Sequence, residues 1–287
     1  MAAKFQTRSV SLPTRSHPTT IKIHEELTRL RASDPSSASS SSAICNSLST
    51  LRDVYDSLDE LLAMASTREA LSRCRCVAEE ELFLNGSVKL MDTCEIAKDV
   101  IARLRESVAA LQSAIRRRRK GDSSLESSVS DYIRLRGKTR KDARKLIAQL
   151  KQQMGNHNLK LRAADHDDDE LFGEVVRVLR EVYAASSCVL QALLSFVMTP
   201  VCGRAKQSKW GIASKLMRRH KVAAVGCEVN EIQAADVALV GDDPKKEFGN
   251  KELESVECCF KEIEGGVEGV FRRLIKSRAS LLNILSQ

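Results

Sequence analysis

Apolar residues return every three or four positions along most of this chain, which is the spacing of helices that bury one face. Ile23, Leu27 and Leu30 predict a short first helix from near Thr20. From about Asn46, Leu48, Leu51, Val54 or Tyr55, Leu58, Leu61 and Leu62 form one broad stripe. Ser66 with Glu69 three residues on is a capping-box pattern and predicts a fresh start there. A long helix is expected from Gly86 or Ser87 to Arg119, with Ile96, Val100, Leu104, Val108, Leu111 and Ile115 facing inward. A second capping box, Ser123 with Glu126, opens a helix whose inner side would carry Val129, Ile133, Leu146 and Leu150.

The segment GNHNLKLRAADHDDD (155–169) reads as a loop, its acids placed to favour the positive end of the next helix. That helix is expected from Glu170 to Val197, with Pro200 as its stop. One or two shorter helices fit within 206–238, although VGCEVNEIQAADVALV (225–240) is β-branched enough to leave a strand open. A loop over 241–249 precedes a last helix from Lys251 to Ile284, with Val256, Phe260, Ile263, Val267, Phe271, Leu274 and Ile275 inward. No internal repeat and no convincing period-two run interrupts the pattern. The fold expected is all-α: an elongated multi-helix bundle with a disordered basic N-terminal tail. Residues 1–19 form the tail, 20–44 a short helix and Ser-rich linker, and 45–287 the bundle, with a subdivision possible near 155–169.

Composition agrees: glycine (13) and proline (5) are sparse for 287 residues, and aromatics are only 4%, so the core must be mainly aliphatic. The net charge of +8 is uneven. Residues 112–151 carry thirteen bases and four acids, and residues 201–221 carry seven bases and no acid. Arg116, Arg117, Arg118, Arg119 and Lys120 form one run, and Arg204, Lys206 and Lys209 open another. Such patches can hold an anionic membrane surface or an acidic protein face, or simply be solvated. Nucleic acid is disfavoured, because only Tyr132 offers a stacking ring near the patch. The uncharged stretch 182–203 is just long enough to span a bilayer, but its serines, threonine and proline favour a buried helix. Followed by the bases at 204–221, it leaves peripheral membrane attachment as the alternative.

Nine cysteines, an odd number, with no secretory hydrophobic region near the start argue against an oxidised scaffold. Cys74, Cys94, Cys188 and Cys227 read as small buried side chains. No second ligand pair follows Cys74 and Cys76, and no phosphate-loop, nucleophile-elbow, zinc or dinucleotide motif is present. No metal, cofactor or catalytic residue is expected, and the chain reads as a non-enzyme. Arg8-Ser9-Val10-Ser11-Leu12-Pro13 places a base three before Ser11. Ser9 and Ser11 are therefore candidate phosphorylation sites, and phospho-Ser11 beside Pro13 suits a 14-3-3 protein. A plastid transit peptide is the competing reading of the tail. Gly265 and Gly269, four apart on the last helix, permit close backbone approach.

The blocks RSVSLPTRSHP (8–18), TREAL (67–71), GSVKLMDTCEIAKD (86–99), LQSAIRRRR (111–119) and FRRLIKSRASLLNILS (271–286) together resemble the plant BYPASS-related family. The resemblance covers nearly the whole chain. It implies a helical protein without an established biochemical activity, linked through the name-giving member to root-to-shoot signalling and development, with some relatives membrane-associated or plastid-directed. It brings no catalytic residue. It draws attention to the tail around Ser9 and Ser11, to Asp92–Asp99 and to 271–285. The expected role is a helical interaction or scaffold protein with an unidentified protein partner, cytoplasmic, with membrane or plastid placement as alternatives.

Overall fold

The computed structural model describes residues 17–32, 40–73, 77–117, 124–161, 170–199, 230–240 and 250–286. Residues 1–16 of the expected tail, residues 33–39 of the expected linker and the loop over 241–249 lie outside the described residues, whereas Pro18 and Thr19 of the tail and residues 41–44 of the linker are helical. Among the described residues there are helices and no strand: α1 (Pro18–Ala32), α2 (Ser41–Ala63), α3 (Ala65–Arg73), α4 (Val77–Arg116), α5 (Ser124–Leu161), α6 (Glu170–Val197), α7 (Glu231–Val240) and α8 (Asn250–Leu285). At 1.5 Å per residue, the 40 residues of α4 span about 60 Å, so the bundle is elongated.

The buried positions follow an alternating four–three step that the aliphatic side chains alone only partly reveal. On α8, Val256, Phe260, Ile263, Val267, Val270, Leu274, Leu281 and Ile284 are buried. On α4 the line is Leu90, Cys94, Ala97, Ile101, Leu104, Val108 and Leu111. These seams stay on one side of a helix because steps of four and three average close to its turn. The inward face expected through Ile96 and Val100 takes successive steps of four, each turning about 40° further around the axis. Ile96 consequently ends up 40% exposed. Ile133 on α5 and Ile275 on α8 are exposed for the same reason, at 41% and 47%.

Interhelical polar contacts fix the directions. On α2 and α8, Asp56 meets Arg273 and Asp59 meets Lys276, so these helices run parallel. Lys98 and Arg105 of α4 meet Glu268 and Glu264 of α8, so α4 runs antiparallel to it. Lys98 also lies 5.3 Å from the centre of the Phe271 ring, a cation–π contact on the same rim. α6 packs on α1, α2, α3, α4 and α5, and α5 packs on α4 and α6.

Several predicted boundaries move for identifiable reasons. α4 begins ten residues before Ser87, and Gly86 sits within it rather than opening it. A Cβ at Gly86 would come within 2.6 Å of the Tyr183 ring, so this glycine allows α6 to approach. The Ser66–Glu69 capping box does not form. Extended Met64 separates α2 from α3, and Glu69 pairs with Arg73 instead. α5 continues through Leu161, beyond the predicted loop start at 155, and residues 162–169 lie outside the described residues. α6 matches its predicted limits, and α7 shows that 231–240 of the β-branched segment is helical.

Candidate interaction surface

α6 is apolar and carries no basic residue in its last turn, so its terminal carbonyls have no cationic partner on their own helix. That partner comes from α5. Arg136, 0% exposed, donates from Nη1 to Val197 O at 2.6 Å and from Nη2 to Thr199 O at 3.0 Å. Its Nη2 also meets Asp236 Oδ2 of α7 at 3.1 Å. The Tyr132 hydroxyl, one turn back on α5, donates to Asp236 Oδ1 at 2.8 Å. Burial and then the Asp236 carboxylate push the Tyr132 phenol upward, so it stays a donor. Arg140 adds a 3.4 Å contact to Thr199 O, and burial followed by the adjacent Arg136 draws its pKa down.

α7 is attached to the same corner by reciprocal capping. Asn230 Oδ1 accepts from Gln233 N at 2.8 Å, and Gln233 Oε1 accepts from Asn230 N at 3.2 Å. Asn230 Nδ2 donates to Thr199 Oγ1 at 3.2 Å. Glu231, next along, accepts from Ser41 Oγ at 2.6 Å and from Ser41 N, which places a carboxylate at the positive end of α2. The inner side of α5 is therefore tied by polar contacts to the end of α6 and to α7, and through α7 to the start of α2.

The outer side of α5 is chemically opposite. Its buried line runs through Tyr132, Arg136, Thr139, Ala143, Leu146 and Leu150. Directly across the helix stand Arg134, Lys138, Lys141 and Lys145, all exposed and stepped four, three, four. Arg134 pairs with Asp131 at 2.8 Å, itself on the surface. Four cations in a row about 16 Å long, on a helix locked from behind, make a fixed basic edge.

The other expected residues are distributed as follows. Arg116 and Arg117 are exposed at the end of α4, where Arg117 Nε donates to Ser113 O at 3.2 Å. Arg118, Arg119, Lys120, Arg204, Lys206 and Lys209 lie outside the described residues, as do Ser9 and Ser11. Gly265 faces open space, whereas a Cβ at Gly266 would meet Leu48 Cδ1 at 2.9 Å and one at Gly269 would meet Arg52 Cδ at 2.7 Å. The close approach of α2 to α8 is thus at 266 and 269. From Val182 to Val197, the apolar stretch of α6 lies within the bundle, and no described helix is long and apolar enough to cross a membrane.

Cys94 is buried as expected, but Cys188 is exposed on α6. Burial pushes the thiols of Cys94 and Cys259 up to about 12, which leaves them as poor nucleophiles. Among the described residues, no group of three or more His, Cys, Asp or Glu side chains could hold a metal ion. Arg136, Asp236 and Tyr132 were not anticipated. The signal for them was one acid, Asp236, inside the apolar turn AADVAL, and an arginine in step with the buried line of α5.

Residues 47–284 match the protein-family model described as Protein BPS1, and the chain belongs to that family. The matched span covers α3 to α7, most of α2 and nearly all of α8, as the BYPASS-related resemblance implied. No curated protein and no solved structure matches the chain.

Proposed function

We propose that this protein is a non-enzymatic helical interaction protein of plant developmental signalling, and that it presents the outer edge of α5 to an acidic partner. One observation carries the reading. Arg134, Lys138, Lys141 and Lys145 stand in one exposed row on a helix whose opposite side is fastened through Arg136. A row held in place loses little conformational freedom on binding beyond that of its own side chains. Complementary charge then sets orientation and speeds encounter.

The test is cross-linking capture from plant extract with the full chain and with Lys138→Glu/Lys141→Glu/Lys145→Glu. The expected result is a reproducible protein cross-linked through an acidic surface near these lysines and absent with the variant. Equal capture by both forms would overturn the reading. Vesicles of neutral and anionic phospholipid form the second arm. Salt-sensitive sedimentation of wild type with anionic vesicles, abolished in the variant, would assign the row to a lipid surface instead.

A further inference from the structure

We infer that the partner of the α5 edge is the outer edge of α4 in a second copy of this chain. This rests on the reading of α5 as an interaction surface and specifies its occupant.

α4 carries its own charged line. Asp92, Glu95, Asp99 and Glu106 are exposed and lie across the helix from the Leu90–Leu111 seam. Two bases of α4 are turned away from that line, while Arg103 stands exposed within it between Asp99 and Glu106. Lys98 and Arg105 turn to α8, where they meet Glu268 and Glu264. Among the outer acids, Asp99 pairs with Arg103 at 3.2 Å, an exposed contact that is cheap to rearrange. α5 is sorted in the reverse sense, with Arg136 and Arg140 turned inward and Arg134, Lys138, Lys141 and Lys145 left outside. Since α4 and α5 pack on each other, one molecule offers both an acidic and a basic helix edge.

The two rows also match in step. Laid antiparallel, Arg134, Lys141 and Lys145 come opposite Glu106, Asp99 and Glu95. Laid parallel, Arg134, Lys138 and Lys145 come opposite Glu95, Asp99 and Glu106. Either way three unlike pairs align at helical repeat distances, the geometry by which flanking charges select partners in paired helices. Neither line includes an exposed aromatic ring, and the acidic line on the neighbouring helix would be repelled by an anionic membrane or a nucleic acid. A second copy answers both rows at once.

Association carried by exposed ion pairs is weak and sensitive to salt, because screening shortens from about 10 Å at 0.1 M to about 3 Å at 1 M. Sedimentation velocity on the full chain at low and high salt tests this with two charge-reversed forms. One is Lys138→Glu/Lys141→Glu/Lys145→Glu and the other is Glu95→Lys/Asp99→Lys/Glu106→Lys. Wild type is expected to form a heavier species at low salt that is lost at high salt. Each reversed form alone should remain monomeric, and an equimolar mixture of the two should regain the heavier species. That recovery also shows that both variants are folded. Wild type monomeric at low salt, or a mixture that fails to associate, would overturn the inference. If wild type is monomeric while the lysine variant still loses its captured partner, only the second-copy assignment falls. If wild type associates as described but capture is unchanged by the lysine variant, the hetero-partner reading falls instead.

Discussion

Replacing Arg136 by methionine removes the cation at the junction of three helices without opening a large hole. The guanidinium is fully buried and donates to Val197 O, Thr199 O and Asp236 Oδ2 within 3.1 Å. Arg136→Met leaves the Asp236 carboxylate with the Tyr132 hydroxyl as its remaining partner at 2.8 Å. Removing one member of a buried ion pair costs about 3–5 kcal/mol, mostly because the other charge stays in a poor medium. For a chain of this size that is a fall in melting temperature on the order of 10 °C. Asp236→Asn keeps a neutral acceptor and should cost less, about 1–3 kcal/mol. The double variant Arg136→Met/Asp236→Asn should cost clearly less than the two losses added together, because neither charge is left alone. Thermal and urea unfolding followed by helical circular dichroism measure all four forms. Strict additivity, or an Arg136→Met protein melting within about 2 °C of wild type, would show that the guanidinium is hydrated and not the fastening described.

Adjacent glycines on α8 should respond with opposite signs. Gly265→Ala enters open space and should stabilise by about 0.5–1 kcal/mol through helix propensity. Gly266→Ala drives a Cβ to 2.9 Å from Leu48 Cδ1 and should destabilise, with urea midpoints as the readout and like signs as the refuting result. Glu26 is buried against Ser57, whose Oγ donates at 3.2 Å, and burial raises its pKa above the ordinary 4.5. The ionised form is thus the penalised one, and its cost to folding appears as pH rises from the ordinary value through the raised one. Glu26→Gln should melt higher than wild type near pH 7, and the gap should close below about pH 4. A variant less stable at neutral pH would refute this. Phosphorylation of Ser11 should recruit a 14-3-3 protein, and capture unchanged by Ser11→Ala would exclude it.

The helical class, the limits of α6 and the aliphatic seams of α2 and α8 were legible in the sequence because each rests on local periodicity. What escaped it follows from one physical cause. A buried line can include residues that no apolar pattern marks, provided that partners exist elsewhere in the fold. Arg136 and Thr139 occupy that line on α5, so its apolar spacing points instead to Ile133, which is exposed. Gly86 stood at the expected start of α4, and only Tyr183 on another helix shows why a glycine lies inside it. The basic run over 134–145 was visible as composition. Its division into inward Arg136 and Arg140 and outward Arg134, Lys138, Lys141 and Lys145 required the position of the α6 terminus.

That division separates stability from binding among residues of the same charge. Lys98 packs over Phe271 and pairs with Glu268, whose carboxyl is held below its ordinary range by the hydrogen bonds from Lys98 and then Arg272. Arg273 grips Asp56 through two contacts of 2.8 Å. Lys98→Glu would put like charges against each other across the α4–α8 seam and should lower the melting temperature. Lys141→Glu changes only the outer row of α5 and should shift folding stability by no more than about 0.5 kcal/mol. If charge reversal at Lys141 destabilised the bundle as much as reversal at Lys98, the outer row would be part of the fold's own pairing and no longer available to a partner. If it left melting unchanged while weakening association at low salt, the net positive charge would be resolved into an inner set that fastens helices and an outer set that meets another molecule.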